Sequence, residues 1–183
     1  MKKKLSFTIL IIVLGFTGLN AQESKFGIKG GLNFAQITGA NSLKSDRKTD
    51  FNLGIMAEIP IVEKFFFQPE LLYSRQGSSV NLDYLNIPLL GKYYLTEGLN
   101  IQAGPQIGFL LSADTNGVNV KSNFKTLDFG VDFGLGYQFK NGLNLGAKYN
   151  YGLSNLSTGV ANEYAGTKIK NEVFQLSIGY FLF

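Results

Sequence analysis

The sequence predicts an all-β protein, a transmembrane eight-stranded antiparallel up-and-down β-barrel, and three observations predict it. Apolar and polar residues alternate with period two through nearly the whole chain, with no helical stripe and no long low-complexity linker. The polar face of that alternation is crowded with glycine. Short and long connections then take turns between the strands, as they do where one end of a barrel carries tight turns and the other carries loops.

The first strand sets Phe26, Ile28, Leu32 and Phe34 against Lys25, Gly27, Lys29, Gly31 and Asn33. In the second, Phe51, Leu53, Ile55, Ala57, Ile59 and Ile61 alternate with Asn52, Gly54 and Glu58. The third opposes Phe65, Phe67, Leu71 and Tyr73 to Gln68, Glu70 and Ser74, and the fourth opposes Leu85, Ile87, Leu89, Tyr93 and Leu95 to Asn86, Lys92 and Tyr94. The remaining apolar stripes run from Leu99 to Leu111, Leu127 to Phe139, Leu143 to Leu153 and Phe174 to Leu182. Strands of about 10 residues cross a hydrocarbon layer when tilted. Aromatic residues gather near both ends of these strands, as interfacial girdles do.

Alternation alone does not say which face is inside, because a soluble ligand-binding barrel shows the same period with its apolar face inward. Glycine decides for the opposite orientation. Eleven of the 22 glycines, among them Gly27, Gly54, Gly108, Gly130 and Gly134, lie on the polar face, whereas the apolar stripes hold only Gly30 and Gly91. A narrow barrel interior has little volume and favours small residues mixed with a few hydrogen-bonding ones; a watery exterior favours Thr, Lys and Glu. The apolar face is therefore expected to meet lipid.

Three-residue connections, Val62-Glu63-Lys64, Thr96-Glu97-Gly98 and Lys140-Asn141-Gly142, separate strands two and three, four and five, and six and seven, with Ile61 expected to meet Phe65. In the last two, glycine sits where a type I turn is followed by a left-handed residue. The connections near Gln36–Asp50, Arg75–Tyr84, Ser112–Thr126 and Ser154–Asn171 are longer and polar, and are expected to be four extracellular loops.

At the amino terminus Lys2, Lys3 and Lys4 precede an apolar run from Leu5 to Phe16 and small residues ending at Ala21. This is the pattern of a secretory signal peptide over residues 1–21, leaving 22–183 as a single barrel domain with its amino terminus in the periplasm. The apolar run is shorter than the ~20 residues a helical span needs. The chain has no cysteine, which excludes disulfides, thiol catalysis, thiolate metal sites and a lipid-modified cysteine at the cleavage site. Charged residues make up 16% of the chain, well under the ~25% typical of soluble domains. Removing the three leader lysines from 17 basic residues leaves 14 against 13 acidic ones, a net charge of +1 that gives nucleic-acid binding no electrostatic support.

Several segments carry a family resemblance. Gly27-Ile28-Lys29-Gly30-Gly31-Leu32-Asn33-Phe34, Gln68-Pro69-Glu70-Leu71-Leu72-Tyr73-Ser74-Arg75-Gln76-Gly77, Tyr84-Leu85-Asn86-Ile87-Pro88-Leu89-Leu90 with Lys92-Tyr93-Tyr94, and Gly104-Pro105 together resemble the PorT-like outer-membrane β-barrel family of Gram-negative bacteria. The resemblance covers the whole mature chain and implies an eight-stranded barrel in the outer membrane; the family is defined by fold, so no activity comes with it. Phe183 at the end is similar to the terminal aromatic signal read by the outer-membrane assembly machinery, although it lies out of phase with Tyr180 and Leu182.

The inward charges are Lys29, Glu58, Glu70, Lys92, Asp132 and Lys148, three of each sign, with Asp128 nearer the loop end. They are expected to form a polar interior network, since buried charges need partners. Opposing Phe139 to Leu143 places Lys148 across from Gly134 and diagonal to Asp132. Glu70 and Lys92, on neighbouring strands, are expected to pair. Asp128 and Asp132 share one face and could form an acid–base carboxylate pair, but the chain has no histidine, which removes Ser–His and Asp–His hydrolytic constellations. Asp114-Thr115-Asn116-Gly117 resembles the opening of a calcium loop yet lacks the later acidic ligands, and a turn is expected there.

The functional expectation is a non-enzymatic outer-membrane protein with a plugged polar interior and no cofactor, a stable platform whose loops face an envelope or surface partner. Its other partners are outer-membrane lipid and, during insertion, the assembly machinery. The alternatives are a narrow channel for ions or small solutes and a soluble periplasmic barrel binding an apolar ligand.

Overall fold

The computed structural model describes residues 24–38, 48–77, 80–156 and 170–182. The leader expected over residues 1–21 and the terminal Phe183 lie outside the described residues, as do parts of the first, second and fourth expected loops. The strands are β1 (Lys25–Thr38), β2 (Lys48–Val62), β3 (Phe65–Gly77), β4 (Asn81–Tyr94), β5 (Leu99–Thr115), β6 (Val118–Asn119), β7 (Leu127–Gln138), β8 (Leu143–Gly152) and β9 (Lys170–Phe181). Each long strand pairs antiparallel with the next in the chain, β5 passing to β7, and β9 returns to β1. Eight strands thus close a barrel, and β6 is a two-residue rung on the outer end of β5. Closure leaves no sheet edge, which is what a spanning β structure requires where no water can satisfy a backbone amide.

The alternation resolves as expected from glycine. Along β9, Phe174, Leu176, Ile178 and Tyr180 are exposed while Asn171 and Gln175 are buried; along β7, Phe129, Phe133, Leu135 and Tyr137 are exposed while Asp128 and Asp132 are buried. The exterior is apolar and the lumen polar, so a barrel holding an apolar ligand within has no place in this fold. Girdle aromatics meet across strands, with ring centroids 6.1 Å apart for Phe34 and Phe174 and 5.9 Å for Phe51 and Tyr73.

Two of the tight turns form as expected, Gly98 and Gly142 taking φ of +96° and +91°. The first does not. Val62, rather than Ile61, pairs with Phe65, the register shifts between Pro60 and Val62, and only Glu63 and Lys64 form the turn. Val62-Glu63-Lys64 has no glycine to occupy the left-handed position, so the chain closes a tighter turn and absorbs the spare residue as a bulge. At the other end, Asn116 and Gly117 have φ of +51° and +83° and join β5 to β6 as a two-residue hairpin, the Gly117 amide donating to Asp114 Oδ1 at 3.1 Å. The segment with calcium-loop character is a turn.

Gly54 is required by space rather than by φ. It lies opposite Lys29 on β1 and Leu72 on β3, and a β-carbon there would come 2.0 Å from the Leu71 carbonyl oxygen. Gly54→Ala is expected to lower stability in denaturant unfolding of the detergent-folded protein by about 1–3 kcal/mol. Gly30→Ala, where the nearest atom would be 3.4 Å away, is expected to cost about 0.5 kcal/mol or less.

Candidate functional site

The lumen is the candidate site, because it gathers almost every buried polar side chain of the barrel. Lys29 Nζ donates to Glu70 Oε1 at 2.7 Å. The two residues are on β1 and β3, and the lysine passes over Gly54 on the strand between them. From across the lumen, Lys148 Nζ on β8 lies 3.3 Å from Glu70 Oε2 and 3.0 Å from Asp132 Oδ2. Asn150 completes that end, donating to Asp132 Oδ1 at 2.6 Å.

A second centre lies toward the tight-turn end. Lys92 Nζ donates to Glu58 Oε2 at 2.5 Å, again skipping a strand, from β4 to β2. Gln138 Oε1 accepts from the same ammonium at 3.1 Å, and the Tyr94 hydroxyl lies 2.9 Å from Glu58 Oε2 and 2.5 Å from Gln138 Oε1. Gln68 joins the two centres, donating to Glu70 Oε1 at 2.7 Å and accepting from Lys92 Nζ at 3.2 Å. The buried charges are three lysines, Lys29, Lys92 and Lys148, against Glu58, Glu70 and Asp132, so this buried core is neutral, and the exposed Lys25 adds a fourth ammonium 3.5 Å from Glu58 Oε1 at its rim. Lys92 and Asp132 are wholly buried. Ions taken out of water at such depth persist only with opposite charge and hydrogen bonds at hand, and each has both here.

Below this core a cavity of about 780 Å³ opens at the turn end, bordered by Lys25, Glu58, Phe66, Tyr94, Gln138 and Lys140. At the loop end, on β4 and β5, lies a buried apolar cluster of Leu82, Tyr84, Leu110 and Ala113, onto which Val80, Val120 and Phe124 pack. Between the open cavity at the turn end and the loop end, where buried Asn33, Asn52, Ser74, Gln76 and Asn171 are also hydrogen-bonded, the middle of the lumen is occupied by the ion-paired side chains.

Apolar exterior, charged interior and eight-strand closure are the features of an outer-membrane barrel, and comparison with known proteins agrees. The family model of the outer membrane protein beta-barrel domain matches residues 20–158. The chain belongs to that family. Among solved structures, this barrel domain is similar to Ail, the attachment invasion locus protein of Yersinia pestis, at 16% identity and a TM-score of 0.54, over 88% of this chain and 100% of that one. It is similar also to Neisserial surface protein A, at 15% identity and a TM-score of 0.53, over 87% of this chain and 99% of that one. At these identities the likeness is one of fold. No curated protein sequence matches the chain.

Within this outer-membrane barrel domain the inward charges expected from sequence sort into two groups. Lys29, Glu58, Glu70, Lys92, Asp132 and Lys148 meet one another. Asp128 is buried but forms no ion pair among the described residues. Lys148 faces Gly134 and reaches Asp132 diagonally, in the register derived from Phe139 and Leu143. Glu70 and Lys92 do not pair. Register keeps them apart: Lys92 lies opposite Phe66, four positions along β3 from Glu70, so Glu70 is taken by Lys29 and Lys148, and Lys92 by Glu58. No acid–base dyad forms, since both oxygens of Asp132 are already engaged by Asn150 and Lys148. Among the described residues no group of three or more His, Cys, Asp or Glu is placed to hold a metal ion. Reading charges alone missed the neutral linkers Gln68, Tyr94 and Gln138, which their inward parity and polarity could have marked.

Proposed function

We propose that this protein is a non-enzymatic integral outer-membrane barrel, exported by its leader, whose plugged interior makes it a rigid platform presenting extracellular loops to an envelope or surface partner. The observation that carries this reading is the unbroken run from Asp132 through Lys148, Glu70, Gln68 and Lys92 to Glu58, which spans the lumen with no contact longer than 3.3 Å. An ion entering such a lumen must displace a partner from a buried charge, which costs several kcal/mol. The PorT-like branch of the family is the placement we favour, because Lys29, Glu70 and Lys92 all fall within the segments that carry that resemblance.

Reconstitution into planar bilayers tests the platform against the channel. The protein is expected to give no stepwise current across a range of voltages. Regular single-channel events from heat-modifiable, folded protein, with a selectivity that changes in Glu70→Gln, would establish a conduction path in place of a plug.

A further inference from the structure

Asp128 is the inward carboxylate left out of the ion-paired core. It sits on one rung with Gly108 of β5 and Asn86 of β4. Because Gly108 has no side chain, its neighbours lean over it: a β-carbon built there would lie 2.9 Å from Asn86 Oδ1, 3.3 Å from Tyr84 Cδ1 and 3.5 Å from Asp128 Cβ. Three residues therefore converge on one small volume beside the apolar cluster to which Tyr84 itself belongs. Gln106 lies two positions from Gly108 on the same inward face of β5.

Every one of these residues carries an orphan polar atom. Asp128 Oδ1, Gln106 Oε1, Tyr84 Oη and Asn86 Nδ2 are buried without a hydrogen-bond partner, on side chains 9%, 7%, 1% and 1% exposed. Three of the four atoms are oxygens, and one of those belongs to a carboxylate. The Asp128 carboxyl has the Ser154 side chain and the Phe129 amide as hydrogen-bond partners but no cation beside it among the described residues, and a buried anion without a counter-charge is costly, so the site calls for one positive charge.

We propose that Asp128 Oδ1, Gln106 Oε1 and Tyr84 Oη bind a monovalent alkali cation inside the barrel, beside the apolar cluster. A single carboxylate supplies one negative charge, which one such ion neutralises, and the two neutral oxygens complete a hard-oxygen donor set. A divalent ion is poorly matched, because calcium and magnesium sites draw on more carboxylate or more water. The next carboxylate along β7, that of Asp132, is already committed to Lys148 and Asn150.

The test uses the full mature chain, folded in detergent, with thallium(I) as the probe because it replaces potassium and scatters anomalously. Crystals soaked in a thallium(I) salt are expected to show an anomalous peak at bonding distance from Asp128 Oδ1, and Asp128→Asn, verified as folded by its heat-modifiable migration, is expected to lose it. Gln106→Leu, which removes only a neutral ligand, is expected to weaken the peak while keeping its position, and it serves also should Asp128→Asn misfold. Absence of a peak in the wild-type protein, or a peak unchanged in Asp128→Asn, would overturn the site. So would an infrared carboxylic-acid band near neutral pH that is lost in Asp128→Asn, since that would make a proton the counter-charge.

Discussion

Glu70→Gln is expected to destabilise the barrel by about 3–5 kcal/mol, the range for removing one partner of a buried ion pair. Glu70 lies 2.7 Å from the ammonium of Lys29 and 3.3 Å from that of Lys148, so its neutralisation leaves two buried lysines with Asp132 as their remaining carboxylate. The amide fits the same space, and the loss is therefore one of charge. Adding Lys29→Met to Glu70→Gln removes the ammonium that Glu70 alone had balanced, and the double variant is expected to recover stability relative to the sum of the single changes. Urea unfolding of the four proteins in one detergent gives the coupling, expected at about 1 kcal/mol or more. The same cycle with Lys92→Met is expected to show weaker coupling, because Lys92 has its own carboxylate in Glu58 and meets Glu70 only through Gln68. Equal coupling in both cycles would mean that the interior charges act as a diffuse pool rather than as specific pairs.

Phe133→Arg is the largest effect expected on the outer face. Phe133 is 57% exposed at the middle of β7, between Ala103 and Tyr149 on the flanking strands. Its exposure is meaningful only if the surroundings are lipid, and an arginine at midplane depth then costs about 2–4 kcal/mol. Asn119→Arg, in the exposed hairpin at the loop end, is the control and is expected to change stability by about 0.5 kcal/mol or less. Unfolding measured in phospholipid bilayers separates the two; equal small costs would show that the apolar face does not lie in hydrocarbon.

Strand number, facing and two of the three tight turns were legible because each rests on a local signal: the period-two stripe, glycine on the inward face, and glycine at Gly98 and Gly142. Strand ends were not. Most of the strands run several residues beyond the apolar stripe at the loop end, where β3, β4 and β5 are joined by polar contacts instead: Arg75 Nε donates to Asp83 Oδ1 at 2.8 Å, and Ser112 Oγ donates to Asp83 Oδ2 at 2.8 Å. Gln36 likewise donates to Glu172 across the β1–β9 closure at 3.0 Å. A ladder held by such pairs carries no hydrophobic period, so its residues read as loop. The choice of charge partners was hidden for a different reason. Sequence parity places Lys29, Glu70 and Lys92 inside, but register relates only adjacent strands, whereas Lys29–Glu70 and Lys92–Glu58 each skip a strand and Lys148–Glu70 crosses the lumen. Curvature brings those side chains together, and a stretch of sequence says nothing of curvature.

A spin-label scan along β7, from Leu127 to Gln138 in bilayers, tests lipid-facing exterior and sealed interior at once, and the natural absence of cysteine makes it straightforward. Each single-cysteine variant is labelled and its collision rate measured with lipid-soluble oxygen and with a water-soluble nickel chelate. The labels at Phe129, Val131, Phe133, Leu135 and Tyr137 are expected to meet oxygen and exclude nickel, while those at Gly130, Asp132, Gly134 and Gly136 meet neither. Nickel access at the inward positions through the middle of the strand, in protein that remains heat-modifiable, would mean a water-filled lumen and would contradict a barrel closed by its own charged side chains.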